Sequence, residues 1–220
     1  FLDMTIPEAL EATVVGKDTI KVTFSEPINV DEPDDLTNSQ LRKGFTLKDS
    51  AGKTVYVNTV TFDTNNTVAR VKFYSSFKEG SYTLTVNNEY KDYAGYTVVK
   101  KDFTLDVVPD KDAPEVIGYE DAKPYEVTLI FNEDIAIVSN EEKDFYHTNY
   151  KNAVVGFGKD KLEVKDGNKL HFVFDEDTEM PPGTVYIYIA KEAIKDLWDN
   201  KNPQQIMVPV EVAGDTEPPV

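Results

Sequence analysis

The sequence predicts an all-β protein made of two tandem β-sandwich domains of antiparallel sheets. Three observations carry this expectation. First, apolar and polar residues alternate around Val22 and Phe24 and again around Leu84 and Val86, the period of a half-buried strand. Second, a set of landmarks recurs at an interval of roughly one hundred residues, the size of one sandwich. Third, Gly80, Gly95, Gly167 and Gly183 punctuate the alternating runs, and Asp166-Gly167-Asn168 reads as a hairpin turn.

The repeat is read from its prolines. Pro7 in IPEAL, Pro114 in APEVI and Pro219 in PPV lie 107 and then 105 residues apart. TIKVTFSEPI (19–28) aligns with EVTLIFNEDI (126–135), and Glu26 and Glu133 each fall 19 residues after their proline. SYTLTVNNEYKDYAGY (81–96) aligns with VYIYIAKEAIKDLWDN (185–200), which places Asp92 opposite Asp196. DKDAP and DTEPP set Asp110 against Asp215 and Asp112 against Glu217, whereas the first such segment keeps Asp3 but carries Thr5 at the second acidic position. The expected domains are therefore residues 1–109 and 110–214, with 215–220 opening a linker to a further domain. The chain is read as an excerpt of a longer protein.

Further strands are expected at 55–62, 68–74, 98–107, 161–165, 169–174 and 204–212. Helix is scarce. DEPDDLTNSQLRKG (31–44) and SNEEKDFYH (139–147) have room for a turn or two, at the same place in each repeat.

The formal net charge of −17 argues against a nucleic-acid partner, which needs clustered Lys and Arg, and against an anionic membrane surface. Cations suit such a surface, and so does plain solvation. No cysteine is present, which removes disulfides and thiolate zinc sites. No apolar run approaches the roughly 18 residues of a membrane span, so no membrane insertion is expected.

Topology brings the acidic landmarks together. In sequential up-and-down strands, the second strand returns to the end where the chain enters the domain, and the loop after the penultimate strand reaches the same end. Asp110, Asp112, Glu133 and Asp196 are thus expected to converge at the joint between the domains, with Asp134 and Asp199 close by. Asp3, Glu26 and Asp92, and Asp215 and Glu217, form the weaker counterparts at the other joints. Crowded carboxylates repel unless a cation or a proton neutralises them. Calcium accepts six to eight oxygens in loose geometry and so suits ligands from separate loops, whereas magnesium retains more water. A bound ion would stiffen a joint that is otherwise free to hinge. The plainer alternative is a solvated linker whose Asp and Asn side chains cap local turns.

VTFSEPI and LIFNEDI resemble the F-S-E-P landmark of bacterial Ig-like domains of the S-layer type. KDYAGY and KDLWDN resemble the D-x-A-G-N loop of that family, and DKDAPEV and DTEPPV its D-x-x-x-P interdomain start. The resemblance covers both repeats. It implies two Ig-like sandwiches from a surface-layer protein of a Gram-positive bacterium, secreted and held at the cell wall. It also implies assembly with copies of itself into a lattice and structural calcium at the joints. Tyr96 replaces the family Asn in the first unit, and Trp198-Asp199 replaces Ala-Gly in the second.

Catalysis finds little support. The histidines are His147 and His171, and His171 falls on the opposite strand face from Leu170, Phe172 and Phe174. No nucleophile motif or phosphate-cradling loop occurs. The competing reading is a glycan- or surface-binding accessory module of a secreted enzyme or adhesin, resting on Trp198, the single tryptophan. Such an indole either stacks on a sugar or packs its loop. Tyr56, Tyr74 and Tyr93 are candidates for lateral contacts.

Overall fold

The computed structural model describes residues 3–31, 36–148 and 150–214, so Asp215 and Glu217 lie outside the described residues. The chain divides into two compact units, Phe1–Asp110 and Lys111–Val220. The break falls one residue beyond the one the repeat predicts.

The first unit opens with β1 (Ala9–Val14) and β2 (Thr19–Phe24). A short helix, α1 (Asn38–Leu41), follows. Its start is a capping box: Gln40 N donates to Thr37 Oγ1 and Thr37 N donates to Gln40 Oε1, so each residue satisfies an amide that the helix leaves unpaired. A 3-10 turn, Arg42–Gly44, then leads into β3 (Phe45–Asp49), β4 (Thr54–Val55) and β5 (Val57–Phe62). The remaining strands are β6 (Val68–Phe73), β7 (Gly80–Val86) and β8 (Lys101–Val107). One antiparallel sheet runs β1-β2-β6-β5 and the other β4-β3-β7-β8.

Alternation decides what faces inward. Ile20, Val22 and Phe24 from β2 and Val71 and Phe73 from β6 are buried, as are Leu47, Leu84 and Val107 from the other sheet. These side chains form the layer between two antiparallel sheets that each leave one face to water. Gly44 is required by packing: an added Cβ would lie 2.2 Å from the Tyr90 ring. Tyr90 is itself buried, and its hydroxyl donates to Leu41 O.

The second unit repeats the plan with an additional ribbon. Its strands are β9 (Val116–Lys123), β10 (Glu126–Phe131), β11 (Ile135–Ile137), β12 (Phe145–His147) and β13 (Glu163–Lys165). They continue with β14 (Lys169–Val173), β15 (Gly183–Ile189), β16 (Ile194–Asp196) and β17 (Ile206–Val212). The sheets run β13-β14-β10-β9 and β12-β15-β17, and β11 pairs with β16. Phe131, Phe145, Phe172, Leu129 and Ile187 are fully buried between them. Asp166 and Gly167 adopt positive φ of 51° and 77° and close the β13–β14 hairpin, in which Lys165 pairs with Lys169. His171 keeps to the outer face but is covered there, with Nδ1 2.9 Å from Thr128 Oγ1. His147 is buried against Phe174.

The up-and-down order expected from the sequence needs correction. β2 pairs with β1 and β6, not with β3, because the chain crosses to the other sheet after Ile28. β1 and β2 still form an antiparallel pair, and the loop after β7 returns to bridge Ile28.

Gly44→Ala is expected to destabilise the first unit by about 1–3 kcal/mol, the usual range for forcing extra volume into a packed site. Urea unfolding of the full chain, followed by far-UV dichroism, measures it.

Candidate metal centre

In the second unit, two local devices fix the end at which the chain comes in. Glu115 and Asn132 hold each other through Glu115 N to Asn132 Oδ1 and Asn132 N to Glu115 O, both 2.9 Å. This pins the incoming segment beside the bend that carries Glu133. The β11–β16 ribbon then pairs Ile135 with Asp196, so Asp196 arrives two residues from Glu133 in the partner strand. Carboxylate oxygens of Asp110, Glu133 and Asp196 lie within 4.8 Å of one another. Asp196 is fully buried and the other two are half-buried.

Asp196 also organises its own loop. Oδ1 accepts from Trp198 N and Asn200 N at 2.8 Å, and Oδ2 accepts from Asn200 Nδ2 at 2.7 Å. Three donors on one carboxylate fix its orientation in the loop. Oδ2, with a single donor, retains lone-pair capacity for a further partner.

The first unit repeats the arrangement with two losses. Glu8 N donates to Ser25 Oγ and Ser25 N to Glu8 O, so Ser25 does for Glu26 what Asn132 does for Glu133. The ribbon shrinks to a single bridge, Ile28 to Asp92. Asp92 Oδ1 accepts from Tyr96 N at 2.8 Å, but Tyr96 has no side-chain amide where Asn200 has one. Asp92 Oδ2 and Glu26 Oε1 are both buried with no donor from the rest of the protein, and the two carboxyls hydrogen-bond to each other only when one carries a proton. Orphaned buried oxygens are rare because each carries its whole desolvation cost. Desolvation, with the charges of Asp3 and Asp92 alongside, pushes the Glu26 carboxyl above its ordinary range. Asp3 moves the other way, held down by donation from Thr5 N and Thr5 Oγ1 at 3.0 and 2.8 Å. Thr5, at the position where the other joints carry an acid, thus stabilises the one acid that remains.

Of the expected ligands, Asp110, Glu133 and Asp196 come together and Asp112 and Asp199 do not. A bend at Asp112 leaves it exposed. Asp199 turns at a positive φ of 69° and pairs with Lys195 Nζ at 2.7 Å. Among Asp3, Glu26 and Asp92, the last two are neighbours and Asp3 acts on Glu26 through its charge. These three do not reach the spacing of the second-unit group. Asp134 is buried next to Glu133. Trp198 is half-buried. The Ser25 and Asn132 clamps went unread in the sequence, though a hydrogen-bonding residue directly before each landmark glutamate was a visible signal.

Six to eight oxygen ligands are what calcium takes, and three carboxylate side chains supply a partial set of the right hardness. Imidazole and thiolate donors are absent from the group, so softer metals are disfavoured.

Two antiparallel sandwiches with this repeat define a tandem of Ig-like modules. Residues 2–108 match the family described as bacterial Ig-like domain, and the first unit belongs to that family. Over 202 residues the chain is 33% identical to the Surface-layer 125 kDa protein of Lysinibacillus sphaericus, covering 91% of this chain and 16% of that protein. It is 30% identical to the Outer cell wall protein of Brevibacillus brevis over 231 residues, covering 100% of this chain and 20% of that one. The chain thus spans a fifth or less of these relatives. The crystal structure of the S-layer protein rSbsC(31-844) superposes with a TM-score of 0.50 at 14% identity, covering 94% of this chain and 26% of that one. That likeness establishes the shared fold. The chain is homologous to surface-layer proteins.

Tyr96→Asn is expected to supply the amide that Asp92 Oδ2 lacks and to stabilise the calcium-free first unit by about 1 kcal/mol, measured by urea unfolding in chelator. The raised Glu26 carboxyl fixes a sign for pH. The folded unit holds that proton more tightly than the unfolded chain, so the contribution of Glu26 to stability falls as pH rises from about 4.5 through the raised value. In chelator, Glu26→Gln should gain on the wild type as pH climbs through this window. A pH series of unfolding midpoints for the two proteins checks it.

Proposed function

We propose that this chain is a structural segment of a secreted cell-wall surface-layer protein of a Gram-positive bacterium, in which calcium at the leading end of each unit stiffens the joint for lattice assembly. The observation that carries the calcium reading is that fully buried Asp196 shares a 4.8 Å neighbourhood with Asp110 and Glu133. The orphaned Asp92 Oδ2 and Glu26 Oε1 support it independently in the first unit. Carboxylate oxygens held this close, one set of them out of water, make a favourable place for a hard cation.

Homology to two wall and surface-layer proteins supports the structural role. No helix among the described residues is long and apolar enough to cross a membrane. The role asks for stiffness and contacts, not for chemistry, and copies of the same chain are its proposed partners.

Calcium at a hundredfold excess over its Kd should stabilise the folded chain by about 2.7 kcal/mol per site and lower the radius of gyration of the pair. Calorimetry and small-angle scattering in calcium against chelator test both. Glu133→Gln should lose most of the second unit's response while remaining folded. A melting temperature and radius that ignore calcium would leave the carboxylates as solvated turn caps and overturn this reading.

A further inference from the structure

A groove of about 940 Å³ opens on the first unit where β3, β4, β5 and the segment after β6 meet. Its character is unlike the rest of the chain. Arg42, Lys53 and Lys78 line it, with Asp49 as the acid among the lining residues, in a protein whose net charge is −17. The Asp49 carboxylate is already engaged, since Oδ1 accepts from Ala51 N and Lys53 N at 3.0 and 2.9 Å. The local balance is cationic.

Two tyrosines stand on the same wall. Tyr74 N donates to Tyr56 O at 3.1 Å, continuing the β5–β6 pairing in which Val57 lies opposite Phe73. The two rings are therefore cross-strand neighbours on one face. Both are largely exposed, Tyr56 at 71% and Tyr74 at 64%. Arg42 Nη1 donates to the Tyr74 hydroxyl at 3.4 Å. Ser75 and Ser76 add hydroxyls at the rim.

The floor is rigid. Phe45 and Tyr82 are buried beneath the groove, and the Tyr82 hydroxyl accepts from Lys78 N at 2.9 Å, which ties down the segment that carries Lys78. A few convergent polar groups around a preformed apolar floor is the usual make-up of a ligand site.

The second unit carries different residues at the corresponding place. The registers Ile20 to Val71 and Val127 to Phe172 align Tyr74-Ser75-Ser76 with Asp175-Glu176-Asp177. The framework repeats and this surface does not, so the groove is not a by-product of the fold.

We propose that this groove binds an acidic oligosaccharide, with sugar rings laid on Tyr56 and Tyr74 and their carboxylate or phosphate substituents met by Arg42, Lys53 and Lys78. Paired flat rings favour a ligand with C–H faces, hydroxyl and guanidinium donors favour a polyol, and the local cations favour an anion. A peptide strand fits less well, because β4 offers only two residues of sheet edge.

The test is titration calorimetry of the full chain in chelator, so that no calcium bridges the probe to the acidic sites. Tetragalacturonic acid is the probe, with cellotetraose and inorganic phosphate as controls. Binding of tetragalacturonate is expected to exceed that of either control and to weaken as salt rises. Tyr56→Ala and Tyr74→Ala should each lower affinity about tenfold or more, the scale of truncating an aromatic anchor, and Tyr74→Phe should retain most of it. Both positions are exposed, so the variants should fold, as dichroism verifies. Equal binding of cellotetraose, equal binding of phosphate, or indifference to both alanine variants would overturn the proposal. So would concentration-dependent self-association of the wild type that the tyrosine variants abolish, which would make the face a contact between copies.

Discussion

Like charges held together by backbone pairing are the constraint on which the rest of each unit depends. The Ile135 to Asp196 pairing and the Glu115–Asn132 clamp set where Glu133 and Asp196 sit before any charge is considered. Ordinarily, carboxylates relieve such crowding by swinging into water. Here Asp196 is fully buried and tied by three donors of its own loop, so relief must come from a counter-charge, from a proton, or from donors supplied nearby. Each unit combines these remedies differently.

The second unit relies on donors. Asn200 completes the shell of Asp196, and Lys195 takes up Asp199. The first unit has fewer. Tyr96 removes the amide and leaves two buried oxygens without partners, while Thr5 quiets only the outermost acid, Asp3. A proton on Glu26 relieves the strain where acid is abundant, and a divalent ion relieves it without needing the proton. The two sites should thus differ in how strongly their apo forms depend on pH. That difference traces to one residue in the loop, Tyr96 against Asn200.

Much of this was legible in the sequence, for a physical reason. The fold follows from period-two alternation, and the equal 19-residue spacing from Pro7 to Glu26 and from Pro114 to Glu133 reflects the matching antiparallel β1–β2 and β9–β10 pairs. The identity of the third ligand was legible only through the repeat, since Asp92 and Asp196 reach their sites by a single bridge and a three-residue ribbon. The bend at Asp112 and the positive φ of Asp199 were not legible, because composition and proximity in sequence say nothing about either. Register explains the larger omission. Tyr56 and Tyr74 are 18 residues apart in the chain and become neighbours only when Val57 is known to face Phe73. Gly44 was silent for the same reason, as its need for small size comes from a Tyr90 ring distant in sequence.

The two units also show how a repeated framework divides its labour. Positions that set strand pairing and the acidic end are kept: Ser25 with Asn132, Ile28 with Ile135, Asp92 with Asp196. Positions beyond the end of β6 and β14 have diverged completely, to Tyr-Ser-Ser in one unit and Asp-Glu-Asp in the other. Loops on a rigid scaffold can change without disturbing the core, so divergence there is what separate surface roles would produce. The contrast in charge sharpens the point. In a chain this acidic, anions are repelled from most of the surface, and long-range repulsion fades within about a Debye length. An anionic ligand could therefore settle only where local cations outweigh the remaining field, which confines it to one face of one unit. The overall acidity would then act as the filter that keeps an acidic polymer from binding anywhere else.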